Sequence, residues 1–368
     1  MRKLTALVTV LVFILLVFVP PGLAQEANTS EPEVVELTLE QAVQRALAFD
    51  YELEKKKLDV DEADDNRVSV PATYYTEWSP TAEAGIFNAE SSWFACERAR
   101  MLYEARRDAL ILDVTRKYYG VLNALEKVEA KRAAHAHAEA ELRAARAMFS
   151  AGVLSRQALD GAEAALEEAK AALAEAQGQL DNAYLALNQL VRFGVQERPV
   201  LVDPVPPFEP VELELSVYES RAYRDNPSLE MVRATLEYMR RVENYSVGGD
   251  TPVTSTDVKK ADLDVRSARQ GVQQLVHHLY SGAKALEEAY AAAAKGLAVA
   301  EERLRVARVR YEVGLATETA VLEAEVGVAT ARQRLHDLAA QHTILKLALD
   351  KPWAYTSASS AAGGSSGT

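Results

Sequence analysis

The stretch YEVGLATETAVLEAEVGVATARQRL, from Tyr311 to Leu335, decides how this chain is read. A helical pattern stops at Gly314 and resumes at Thr317. The stretch FSAGVLSRQALDGAEAALEEAKAAL, from Phe149 to Leu173, does the same thing 162 residues earlier. Gly152 and Gly314 each stand just past an apolar stripe, where a left-handed residue stops a helix. Ser155 and Thr317 follow three residues later, where a hydroxyl caps the next helix. Each stretch therefore predicts a tight helix-turn-helix tip, and each tip predicts a long antiparallel hairpin.

Outward from the tips, the apolar positions step by 3 and 4. After the first tip they run Leu159, Ala162, Leu166, Ala169, Leu173, Ala176 and onward to Leu190. After the second they run from Val321 through Val328 and Leu335 to Leu349, and only His342 breaks the series. A third stripe leads from Val272 up to Tyr311. A seam repeating every 3.5 residues over this length is a coiled-coil seam. Alternating Leu with Ala makes it narrow, so helix axes approach closely.

The repeat extends beyond the tips. Tyr118 falls on Tyr280, Leu142 on Leu304, Arg146 on Arg308 and Leu173 on Leu335, all at the offset of 162. LTLEQAVQRALAFDYELEKKKLDV (37–60) resembles LSVYESRAYRDNPSLEMVRATLEY (215–238) at an offset of 176, with Leu39, Ala46 and Leu53 matching Leu215, Ala222 and Leu229. Each copy reads as short helix, insert, long helix, tip and returning helix. The ascending arm is expected from about Ser92 to Phe149. The short helix of 38–66 has the length to stack end-on above the shorter returning arm. RPVLVDPVPPFEP, with five prolines, reads as an extended connector between the copies.

The chain ends add context. Arg2 and Lys3, the apolar run Leu4–Val19, Pro20-Pro21 and Gly22-Leu23-Ala24 predict a secretory signal with cleavage after Ala24, the other reading being an uncleaved membrane anchor. The run is short for a membrane span. The expected organisation is a signal peptide (1–24), a flexible segment (25–36), a first repeat (37–194), a Pro-rich connector (195–214), a second repeat (215–352) and a Ser/Gly/Ala-rich disordered tail (353–368). The net charge of −13, with no basic stripe, argues against nucleic acid. Cys96 is the only cysteine, so no disulfide framework exists. His135/His137, His277/His278 and His336/His342 lack the i, i+3 or i, i+4 spacing that places two ligands on one helix face. The acidic run near Glu167 reads as the outside of a coiled coil. No phosphate loop or nucleophile motif occurs. These readings leave no catalytic residue, cofactor or metal ligand, and point to a non-enzyme.

The opening LTLEQAVQRALAFDYEL, the two tips and the duplication together resemble the TolC-like outer membrane efflux proteins over about 37–350. The resemblance implies an all-α fold of duplicated coiled-coil hairpins. It implies a homotrimer whose hairpins build a hollow helical tunnel, a conduit for small molecules or proteins in a tripartite-type export system. It places the protein in the outer membrane or periplasm. It also implies that tips meet a periplasmic adaptor (membrane fusion) protein and an inner membrane pump. Carried onto this chain, the partner-contacting tips are Gly152, Ser155, Arg156, Gly314, Thr317 and Glu318. Arg156 and Glu318 lie four residues after their glycines, so opposite charges can meet between neighbouring tips of a ring.

Two departures accompany the resemblance. The family's inserts each supply a β-hairpin to an outer membrane barrel, and a spanning strand needs about 9–11 residues. The second insert here, 246–260, is too short for two such strands. The first, 68–95, is interrupted by Pro71 and Pro80. Little or no barrel is expected. Tyr74, Tyr75, Trp78, Trp93 and Phe94 are then candidates to touch a membrane or to cap the bundle. The family also often carries an acid six residues past the tip glycine, where this chain has Ala158 and Ala320. The shortened inserts keep a second function open, that of an exported coiled-coil scaffold without a pore.

Overall fold

The structure, a computed structural model, describes residues 35–71, 73, 80–245 and 253–355. The described residues from Glu36 onward belong to one compact unit. In chain order its elements are β1 (Glu36–Leu37), α1 (Leu39–Phe49), α2 (Tyr51–Asp65), α3 (Pro80–Ser150), α4 (Arg156–Val191), β2 (Val200–Leu201), α5 (Leu215–Asp225), α6 (Pro227–Tyr245), α7 (Ser255–Glu312) and α8 (Glu318–Asp350). Among the described residues, strand is confined to β1 and β2, which pair in parallel with Leu37 opposite Leu201. No described helix is long and apolar enough to cross a membrane.

Helix length follows from the seam. α3 holds 71 residues, about 107 Å at 1.5 Å per residue. α4 holds 36, about 54 Å. α3 packs along α4 and also along α8, and α8 packs along α7. The four long helices thus lie in the order α4, α3, α8, α7, and α4 and α7 form no packed interface with each other. Every seam position from Leu159 to Leu190 is buried or half-buried, and so is every one from Val321 to Leu349. The stripe before Gly314 holds as far as Ala307 and ends at Tyr311, which is exposed.

Duplication is visible in the cores. One cluster joins Ala42, Ala46, Val114, Tyr118, Leu187 and Val191. The other joins Tyr218, Ala222, Val276, Leu349 and Trp353, with Tyr280 packed on it. The two sets correspond at the offsets of 176 and 162. The short helix expected at 38–66 is two helices, α1 and α2, broken at Asp50. The second copy breaks at the matching Asn226, between α5 and α6. Their backbones nearly coincide, with φ −76°, ψ 113° at Asp50 and φ −78°, ψ 112° at Asn226. Each side chain caps the helix that follows: Asp50 accepts from Leu53 N–H, and Asn226 from Ser228 and Leu229 N–H. A capping residue satisfies donors a new helix leaves open, so both sites read as starts rather than interiors. Above the returning arm, Arg45 Nε of α1 donates to Val191 O at the end of α4, which is the end-on stacking expected.

Two boundaries differ from expectation. α3 begins at Pro80, not near Ser92, so 80–95 is helix. Proline is at home in a first helical turn, where its missing N–H has no partner to lose. The tail does not begin at 353 either. Residues 352–355 form a last helical turn, and Trp353 is buried. Trp353 occupies the seam place that Val191 holds in the first copy. Its indole Nε1 donates to Asp108 on α3 at 3.0 Å, and Lys351 Nζ reaches the same carboxylate at 2.6 Å. The signal peptide, nearly all of the segment 25–36, Tyr74, Tyr75, Trp78, residues 246–252 and the tail from 356 lie outside the described residues.

Candidate functional site at the hairpin tips

Both tips are built by the same bonds. At the first, Gly152 N–H donates to Phe149 O and Val153 N–H to Met148 O. At the second, Gly314 N–H donates to Tyr311 O and Leu315 N–H to Arg310 O. These bonds satisfy carbonyls that the ending helix leaves open. They require a left-handed glycine, and φ is 74° at Gly152 and 77° at Gly314. Ser155 Oγ then accepts from Ala158 N–H, and Thr317 Oγ1 from Ala320 N–H, opening α4 and α8. The geometry of these four residues is as the sequence predicts.

The tip charges have partners within the chain. Arg156 pairs with Asp160 one turn on at 2.9 Å. Glu318 lies 3.9 Å from Arg143 on α3. The structure thus does not bring Arg156 and Glu318 together inside one chain. Above the tips each hairpin carries the same inter-arm pair: Arg146–Glu163 at 3.2 Å and Arg308–Glu325 at 2.9 Å, again 162 apart. All these groups are exposed or half-exposed, so each pair contributes little by itself.

Sequence reasoning missed the apolar surface of the tips. Val153 and Leu315 occupy equivalent positions and are each 78% exposed. Phe149 and Tyr311, also equivalent, are exposed, and Val313 is too. Each turn thus carries exposed apolar side chains at its solvent-facing end. The signal was present: the seam has no use for an apolar residue directly after the glycine, yet both copies carry one.

Higher up, α3 meets α8 through polar side chains. Asn123 Nδ2 donates to Asp337 at 3.1 Å, and Asn123 Oδ1 lies 2.8 Å from His336 Nδ1. Burial holds the His336 imidazole below its ordinary pKa, because a charged ring there loses its water. At the opposite end from the tips, Arg241 of α6 sits 5.0 Å from the Trp93 ring centroid and pairs with Glu90. Phe94 stacks on Tyr238 with centroids 5.1 Å apart. These two aromatics, on α3, are therefore engaged by α6 of the second copy. Among the described residues no three His, Cys, Asp or Glu side chains gather as a metal site.

A family model described as outer membrane efflux protein matches residues 88–191 and 250–354, together more than half of the chain. The second match begins 162 residues after the first, the offset of the tips. No curated protein matches by sequence. Among solved structures, the chain is similar to the Campylobacter jejuni CmeC outer membrane channel, with 15% identity, a TM-score of 0.58, and 87% of this chain and 86% of that one covered. It is similar to the open state of the Neisseria gonorrhoeae MtrE outer membrane channel, with 17% identity, a TM-score of 0.56, and coverage of 86% and 88%. It is also similar to CusC, with 14% identity, a TM-score of 0.59, and coverage of 87% and 92%. At these identities the likeness is one of fold. With its repeated tips, its duplicated seam and the family match over both copies, the chain belongs to the outer membrane efflux protein family, a family of exported cell-envelope transport proteins rather than of enzymes.

Proposed function

We propose that this chain is one protomer of a homotrimeric efflux conduit, a helical tunnel of the outer membrane and periplasm through which small molecules or proteins leave the cell. One observation carries the reading. The four long helices lie in the order α4, α3, α8, α7, and the two outer helices do not close on each other. Leu263 and Val299 on α7 and a long run of exposed residues on α4 are left without cover in one chain. A first-copy edge and a second-copy edge are complementary by descent. Joining them head to tail closes a ring without exposing either.

The tips are the surface for a periplasmic adaptor protein, which would link the conduit to an inner membrane pump. Val153 and Leu315 supply the apolar contacts, framed by Arg156 and Glu318. The conduit works by passage and asks no chemistry of its side chains.

Mass measurement and planar-bilayer conductance together test the proposal. A particle near three times the monomer mass that passes current supports it. A helical monomer overturns the tunnel. A trimer that passes no current favours the second reading, an envelope scaffold that kept the hairpins. Val153→Ser with Leu315→Ser leaves mass and conductance unchanged and abolishes capture of the adaptor.

A further inference from the structure

His342 is the single break in the α8 stripe, and the structure gives it an unusual place. It is 2% exposed, and its Nε2 has no hydrogen-bond partner. Nearest is Glu287 Oε1 on α7, at 3.6 Å, too long for a good hydrogen bond. That oxygen is already engaged: it accepts from Val211 N–H, in the connector, at 2.7 Å. Lys284 Nζ completes the set, donating to Val211 O and to Glu287 Oε2, each at 2.9 Å. Phe208 closes the top, stacked on Tyr290 at 3.9 Å and tilted over His342 at 4.5 Å. The stretch 208–211, which joins the two repeats, is thus strapped across the α7–α8 hairpin with His342 beneath it.

We propose that His342 is the pin of a proton-sensitive strap: protonation of its imidazole releases residues 208–211 from the α7–α8 hairpin. A charged ring here needs a well-placed acceptor or water for its Nε2–H; the closed strap holds the Glu287 carboxylate at 3.6 Å, beyond a good hydrogen bond, and although its negative charge favours the proton, the loss of water outweighs it. Glu287 Oε1 has a second lone pair to offer, but from 3.6 Å it must move toward the ring to use it, and that movement draws it off Val211 N–H and loosens the strap. Phe208 offers a ring face but no acceptor. The other charged groups acting on His342 are Lys284 from α7 and Lys346 from α8, both cations that oppose a second positive charge. From the connector, Glu209 pairs with Lys346 at 3.0 Å in an exposed position.

The sign follows from burial. Loss of water is the first cause holding His342 below its ordinary pKa, so the closed strap resists the proton and the open strap takes it freely. The strap is fully fastened above the solution value of about 6.5. Below it, each pH unit favours the open form by up to about tenfold, until the closed form also protonates. Glu287 does not act in this range. Burial works to raise its carboxyl, but the Val211 N–H and Lys284 outweigh that and hold it below the ordinary value.

The test is hydrogen–deuterium exchange of the full-length protein at pH 7.5 and 5.5, corrected for intrinsic exchange, read on the peptide containing Phe208 to Val211. Wild type is expected to lose protection there by about tenfold on acidification. His342→Leu, which restores the stripe, keeps protection at both values. Should that variant fold poorly, His342→Gln serves the same end, being neutral throughout. Glu287→Gln keeps an acceptor for Val211 and keeps the response. Glu209→Gln also keeps it, which separates the pin from the Glu209–Lys346 pair. Equal protection of wild type at both pH values overturns the proposal. So does an unchanged response in both His342→Leu and His342→Gln.

Discussion

At the scale of single residues, the tips rest on two glycines and two hydroxyls. A Cβ added to Gly152 or Gly314 would meet nothing within 4 Å. The cost of substitution is therefore backbone strain alone. Gly152→Ala and Gly314→Ala should each destabilise by roughly 1–2 kcal/mol, and by similar amounts, in chemical denaturation. A much larger loss would mean that the tips pack on something besides solvent. His336 makes a second case. Its imidazole is held below its ordinary pKa by burial, so the unfolded chain binds the proton more readily. Its contribution is whole above about pH 6.5 and is lost as pH falls below it. His336→Gln, which keeps a polar partner for Asn123, should flatten the fall in melting temperature between pH 7.5 and 5. An unaltered pH profile would show that acid sensitivity lies elsewhere.

At the scale of elements, the hairpins are held by the seam and only trimmed by charge. Leu187 and Leu349 are equivalent and fully buried. Leu187→Ala and Leu349→Ala should each cost about 2–5 kcal/mol, because each leaves a cavity between arms that cannot collapse independently. Glu163→Gln and Glu325→Gln, which break the exposed inter-arm pairs, should each cost less than about 1 kcal/mol. Denaturant titrations of the four variants check the ranking. A charge variant more damaging than a leucine variant would show that the arms are held by a network rather than by the core. The breaks at Asp50 and Asn226 belong to this scale as well. Periodicity carried straight through both, since the apolar positions on either side stay nearly in phase. Asp and Asn are capping residue types, but only the backbone turn shows which of many such residues starts a helix.

At the scale of the whole molecule, the proposed ring would be held shut at its tips. Arg156 and Glu318 have in-chain partners in Asp160 and Arg143, both exposed and weak enough to exchange. If first-copy and second-copy tips are neighbours in a ring, Arg156→Glu and Glu318→Arg should each raise bilayer conductance, and the double reversal should lower it again. Additive effects would leave both as ordinary surface charges. Phase-separated readouts matter here, because mass reports the ring and conductance reports its mouth.

By itself the sequence determined the hairpins, their tips, the duplication and the family, because each rests on local spacing: a 3–4 step, a glycine, a hydroxyl three residues on, an offset of 162. Tertiary structure alone decided the rest. Trp353 sits in a tail-like composition, yet it completes the second core because Asp108, more than two hundred residues earlier, offers a buried acceptor. Val153 and Leu315 stand off the seam in the sequence, but only the folded turn shows how fully it exposes them. His342 reads in the sequence only as a flaw in a stripe. Its meaning depends on a connector folding back over α7 and α8, and long-range packing of that kind leaves no period to read.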